Sequence, residues 1–185
     1  MAIESDALRH LILVALFLSV NFLPGCKRGG PDLAAYTEEE SPSPRTAAGI
    51  QVADPRAASQ LVSGWWEVED HAWRWTARKF AVILRPPLGA ARHGAALRFR
   101  FTLPAVVFSH FKAVTLSTLV EGTPLAPETY RGPGPKVYMR DVPPRLLSTH
   151  TVRIDFELDR AFLAGGGKDP RELGLIGHSL GLESQ

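Results

Sequence analysis

The chain has 185 residues, 45% of them hydrophobic and 22% charged, with a single cysteine, which leaves room for one domain with a real core. One cysteine excludes an intramolecular disulfide framework, a CxxC redox pair and a cysteine-based zinc site within the chain. A formal charge of +2, from 21 basic against 19 acidic side chains, is too small and too evenly spread for a nucleic-acid footprint, which needs a basic face or run.

The first predicted element is a secretory signal over residues 1–25. Arg9 and His10 precede a mostly apolar run from Leu11 to Leu23, and the small residue Gly25 stands before Cys26. That run suits an h-region and falls short of the ~20 apolar residues that a spanning helix needs.

Leu23-Pro24-Gly25-Cys26 resembles the lipobox of bacterial lipoproteins. The resemblance implies a cysteine that is diacylated through its sulfur and becomes the new N-terminus after cleavage. Pro24, two places before the cysteine, and the acids Glu4 and Asp6 depart from the common pattern. Ordinary secretion with a free thiol and an uncleaved anchor are the other two readings, but a lone cysteine at the end of an h-region favours lipidation. The sorting rules of that family make Lys27, which follows the cysteine, a pointer to the outer membrane of a Gram-negative cell. The expected location is therefore the bacterial cell envelope, with the membrane as a partner through the lipid.

Residues 26–60 are predicted as the lipidated cysteine and a flexible linker. They include Gly29-Gly30-Pro31, the run Glu38-Glu39-Glu40-Ser41-Pro42-Ser43-Pro44 and Asp54-Pro55, with few large apolar side chains, a composition that does not pack. Ile50 and Val52 leave open a short edge strand within it.

From Leu61 to Gln185 the pattern is that of a β domain. Val152, Ile154, Phe156 and Leu158 alternate with Arg153, Asp155, Glu157 and Asp159, so a strand here turns one face to a core and the other to water. Leu97 to Phe101 repeats the alternation, and Phe80 to Leu84 and Val114 to Val120 are β-branched-rich runs of strand length. Glu121-Gly122 reads as a turn into a strand from Pro124 to Tyr130, while Ala105 to Lys112 and Arg160 to Leu163 read as short helical turns. Ten prolines and twelve glycines in residues 61–185 fall mainly between these runs. The expected fold is all-β: seven to nine antiparallel strands in a β-sandwich of jelly-roll-like form.

Several motifs carry chemical temptation. Gly177-His178-Ser179-Leu180-Gly181 matches the G-x-S-x-G nucleophile elbow, but that mechanism needs a strand-to-helix turn followed by an acid and then a histidine. Only six residues follow Ser179 and none is histidine, so a last strand with small residues for close packing is the favoured reading, and a serine esterase the least favoured function. Gly165-Gly166-Gly167-Lys168 has Asp169 where a phosphate loop needs Ser or Thr. The six histidines show no paired ligand spacing. Asp70-His71, beside Glu67 and Glu69, reads as a solvated acidic turn ahead of a metal site. No cofactor is expected and no catalytic residue is nominated.

All four tryptophans, Trp65, Trp66, Trp73 and Trp75, lie within eleven residues. On a strand Trp73 and Trp75 share a face, while adjacent Trp65 and Trp66 point opposite ways, which puts at least one of that pair in the core. Indoles beside Glu69 and Arg74 have the chemistry of sugar recognition, in which C–H faces stack on rings and charged groups take hydroxyls. They equally have the chemistry of a small core with its N–H groups bonded.

Gly64-Trp65-Trp66, Glu69 and Arg74-Trp75-Thr76, together with Asp169-Pro170-Arg171-Glu172-Leu173-Gly174 near the end, resemble the opening and closing motifs of bacterial jelly-roll-like modules. Those modules are attached to glycosyltransferases and other polysaccharide-related proteins, or stand alone. The resemblance implies the fold first and an association with surface polysaccharide second. The candidate ligand-binding residues are therefore Trp65, Trp66, Glu69, Trp73, Arg74, Trp75, Asp169 and Arg171. A buried Arg74 needs a partner, with Glu69 or Asp169 the candidates, and a structural clamp joining the chain's ends competes with a binding site. The leading expectation is a noncatalytic envelope lipoprotein that binds glycan. The second is a structural or assembly module docking on another envelope protein.

Overall fold

The computed structural model describes residues 46–167 and 170–185, so Cys26, most of the predicted linker, and Asp169 lie outside the described residues. Eleven strands are present among them: β1 Gly49–Gln51, β2 Leu61–Glu69, β3 Trp73–Leu84, β4 Ala95–Leu103, β5 Val114–Val120, β6 Thr123–Tyr130, β7 Gly134–Val142, β8 Val152–Leu158, β9 Phe162–Leu163, β10 Glu172–Leu173 and β11 Ile176–Ser184. Nine pair along the path β6-β5-β8-β3-β11-β4-β7, with β2 on β3 and β1 on β11, and β9 and β10 form a separate ribbon. Every pairing is antiparallel. The fold is the all-β antiparallel sandwich expected.

The twelve-residue β3 makes the sandwich. Its C-terminal half, Lys79–Leu84, pairs with β8, whereas Arg74 and Trp75 near its start pair with Gly177 and Ile176 of β11. One strand thus serves two layers, β2-β3-β8-β5-β6 and β1-β11-β4-β7, and the sheet folds over along it. Phe99 of β4 meets Phe156 of β8 at 5.2 Å and Phe80 of β3 at 5.8 Å, although β4 is bonded to neither strand. These rings are the contact between layers. On the far side the layers meet through side chains: Tyr138 Oη and Arg140 Nε of β7 both donate to the Ala126 carbonyl of β6.

The alternation in sequence becomes burial. Val152, Ile154, Phe156 and Leu158 of β8 are buried, as are Ala95, Leu97, Phe99, Phe101 and Leu103 of β4, each large side chain contributing ~1.5–3 kcal/mol of hydrophobic stabilisation. The two-residue turn Glu121-Gly122 between β5 and β6 has positive φ at both positions, which is the mirror-image hairpin turn that matches strand twist, and Asp70 and His71 have positive φ in the three-residue link 70–72 between β2 and β3. Asp70-His71 is therefore an exposed turn.

Two expectations need correction. Residues 46–60 are part of the packed body where a linker was expected: β1 pairs with β11, Val52 and Ala57 are buried, and the buried Gln60 side chain bonds the backbone of Ala47 and Ile83. The segment is short and Ile50 and Val52 are its only large apolar residues, so composition gave little sign of strand pairing that runs through its backbone. Arg160 to Leu163 is not helical, because Phe162 and Leu163 pair with Leu173 and Glu172. The short helix at Ala105–His110 is where one was expected.

Candidate functional site

A glycine sets the opening of the tryptophan segment. Gly64 has φ +71, and a Cβ there would stand 2.0 Å from the Lys79 carbonyl oxygen. It lies where the β2–β3 register shifts, between Ser63 and Trp65, and the irregularity re-aims the side chains that follow.

The four indoles then divide. Trp65 packs edge-on against Phe80 at 5.1 Å and Phe99 at 6.4 Å, and its Nε1–H donates to the Ala81 carbonyl at 3.0 Å. It belongs to the core. Trp66 donates its Nε1–H to the Glu172 carbonyl at 3.0 Å, and the Arg171 guanidinium lies 5.9 Å from its ring. Trp73 and Trp75 are half-buried on the other face of β3 from the buried Thr76, and among the described residues neither indole N–H has a hydrogen-bond acceptor.

Trp73 and Trp75 continue into an aromatic series. Their centroids are 6.1 Å apart with planes at 78°, Trp75 meets Phe162 at 6.0 Å and 75°, and Phe162 stacks on the exposed His110 ring at 5.8 Å and 15°. The first three rings meet edge to face and the last two are stacked, so the series presents ring faces and edges in turn and not one flat platform. Phe162 and His110 were not among the predicted residues. They come from separate elements, the strand β9 and the short helix Ala105–His110, 52 residues apart in sequence, and no local pattern links them to β3.

Arg74 does not pair with Glu69, the one of its two expected carboxylates that lies among the described residues. Its Nε donates to the Val52 carbonyl at 2.7 Å and one terminal nitrogen to the Trp66 carbonyl at 2.9 Å, so it ties the chain before β2 to the β2–β3 hairpin. Glu69 pairs instead with Arg171 at 3.1 Å. Both side chains of that pair are about one-third exposed, which limits it to ~1 kcal/mol or less. What seats the segment around Leu173–Leu175 is the backbone: Thr76 N–H donates to the Leu175 carbonyl, Gly174 N–H to the Thr76 carbonyl and Leu175 N–H to the buried Thr76 hydroxyl. Trp66, Glu69, Arg74 and Arg171 thus form a clamp that joins the two ends of the body, while Trp73 and Trp75 stand apart on a half-open face.

The G-x-S-x-G segment lies in the middle of β11. A Cβ on Gly177 would stand 2.6 Å from Trp65 Cζ3, and one on Gly181 3.0 Å from the Gly49 Cα. Ser179 pairs with Arg100 on one side and Gln51 on the other, so no strand-to-helix turn presents its hydroxyl. His178 Nε2 and Thr102 Oγ1 are hydrogen-bonded at 2.9 Å, and burial holds the imidazole below its ordinary pKa. The glycines are packing residues, one for an indole and one for a neighbouring strand.

No protein-family model and no curated protein sequence matches the chain. It is similar in structure to an acetyl xylan esterase, Est2A, from the rumen bacterium Butyrivibrio proteoclasticus, at 9% identity and TM-score 0.44, over 76% of this chain and 33% of that one. A second similar structure is a Paenibacillus sp. cycloisomaltooligosaccharide glucanotransferase complexed with cycloisomaltoheptaose, at 11% and 0.43, over 74% and 18%. A third is a family 35 carbohydrate binding module from an environmental isolate, at 13% and 0.35, over 76% and 87%. The chain spans one-third of the esterase and less than one-fifth of the glucanotransferase. At these values the likeness assigns neither activity nor ligand to this chain.

Proposed function

We propose that the folded body is a noncatalytic glycan-binding module, held at a bacterial cell envelope by a lipid on Cys26. The observation that carries the glycan reading is the division of the indoles. Trp65 and Trp66 spend their N–H groups on backbone carbonyls, whereas Trp73 and Trp75 keep theirs beside Phe162 on a half-open face. Ring faces for C–H stacking next to unspent donors for hydroxyls are what a sugar ring requires of a protein. The noncatalytic part is supported by Ser179, a mid-strand residue with no elbow around it. A glycan array tests the reading. Hits that are lost in Trp73→Ala and Trp75→Ala are expected, and no hits, or hits indifferent to both variants, would overturn it.

The anchor is supported by the apolar run that ends at Leu23-Pro24-Gly25-Cys26, and Lys27 favours an outer membrane. Palmitate labelling of the wild-type chain that disappears in Cys26→Ala is the expected result, and labelling that persists refutes it.

One observation favours a docking module instead. Val137 and Met139 project from β7 with 45% and 50% of their surfaces exposed, next to an open groove of about 400 Å³ that includes Arg100 and His178. Capture of an envelope protein that is abolished by Val137→Asp but untouched by Trp75→Ala would assign the function to that face.

A further inference from the structure

The outer face of the layer β2-β3-β8-β5 carries a groove of about 440 Å³, within the size of small-molecule sites. Register fixes its walls. Lys79 of β3 and Ser117 of β5 lie opposite Glu157 on the two sides of β8, and Leu119 lies opposite Asp155. Arg153, Asp155 and Glu157 alternate with the buried residues of β8, so all three face the groove. Ser63 adds a hydroxyl from β2.

The charges in the groove are satisfied within it. Arg153 pairs with Asp155 at 2.7 Å, and Lys79 with Glu157 at 3.2 Å, two cations against two carboxylates. A polyanion entering it would meet carboxylates that already hold the cations and would have to displace them. Hydroxyls, paired groups that both donate and accept, and the 39%-exposed Leu119 suit a neutral, hydroxyl-rich ligand. Four strands spaced ~4.8 Å apart give a length of ~14 Å, which is that of a short linear chain more than of one ring.

The groove is wired to the aromatic face. Arg78 donates to Glu157 on the groove wall at 3.0 Å and lies 3.7 Å from Glu172 of β10. Glu172 pairs with Leu163 of β9, and the preceding residue, Phe162, meets Trp75. The β9-β10 ribbon therefore meets Trp75 directly and the groove wall through Arg78.

We propose that this groove is a second carbohydrate subsite, which holds the continuation of a neutral linear glycan bound at Trp75. The proposal rests on the glycan reading above, and its test separates the two. Calorimetric titrations of the full chain in detergent use xylohexaose, cellohexaose and mannohexaose, the matching disaccharides, and hexagalacturonate. Ser117→Trp fills the groove from an exposed strand position, and Asp155→Ala removes one wall charge as a second variant; thermal melting checks that each folds.

For a neutral hexasaccharide bound by the wild type, Ser117→Trp weakens binding at least tenfold and Asp155→Ala several-fold, while the disaccharide keeps its affinity in both. A hexasaccharide no tighter than its disaccharide, one indifferent to a folded Ser117→Trp variant, or hexagalacturonate as the tightest ligand overturns the subsite. Weakening by Ser117→Trp together with full binding by Trp75→Ala keeps the groove and removes the aromatic reading. Failure of every probe removes both.

Discussion

Gly177 and Trp65 share one space: a Cβ on the glycine would fall 2.6 Å from Cζ3 and 3.2 Å from Cη2 of the indole. Gly177→Ala is therefore an overpacking change, with an expected cost of ~1–3 kcal/mol. Trp65→Phe shortens the ring system and relieves the clash, so in the double variant the two costs are less than additive. Urea unfolding of the four proteins checks the cycle. Strict additivity would contradict the shared-space account.

Ser179, two residues on, has no such constraint. Ser179→Ala is expected to change stability by no more than ~0.5 kcal/mol and to leave any trace of ester hydrolysis unchanged. Loss of hydrolysis in that variant would contradict the reading of this segment as packing.

Arg74 and Glu69 differ in what their removal leaves behind. Arg74→Ala strands the carbonyls of Val52 and Trp66 and is expected to cost ~1–3 kcal/mol, of which Arg74→Lys recovers only part because an ammonium lacks the planar fork. Glu69→Ala breaks a part-exposed pair and is expected to cost ~1 kcal/mol or less. Denaturation midpoints of the three variants rank them. Glu69→Ala as the costlier change would mean that the ion pair, not the carbonyl bridge, holds the ends together.

His178 gives stability a pH dependence of definite sign. Burial lowers its folded-state pKa below the ordinary histidine value, so in acid the unfolded chain takes up a proton before the folded one does. The contribution of neutral His178 is fully present above the ordinary pKa and is lost as pH falls from there through the folded value. Melting temperatures measured from about pH 8 to about pH 5 are expected to fall on the acid side, and His178→Gln to flatten that fall. An identical fall in the variant would assign it to other groups.

Much of the fold is written locally. The alternations of β4 and β8 are legible because each strand has one buried face, and the turns at Asp70-His71 and Glu121-Gly122 because they lie between such runs. β1 is legible only as the short strand left open at Ile50 and Val52, since three residues of backbone pairing leave little hydrophobic signature. The same limit governs the site. Trp73 and Trp75 share a face by strand periodicity, but Phe162 and His110 reach them only through the fold. The partner of Arg74 depends on where β2 bulges, because that brings the Trp66 carbonyl within reach, and a search for charged partners passes over a carbonyl.

On the glycan reading, Trp73 and Trp75 meet sugar while Trp65 does not. The four indole N–H resonances, assigned from single Trp→Phe variants, report it directly in a nitrogen-15 titration with neutral oligosaccharides. The Trp73 and Trp75 signals are expected to shift with saturation while the Trp65 signal, bonded to Ala81, stays in place. Saturating shifts confined to Trp65 and Trp66, or four unmoved signals across the panel, would contradict it.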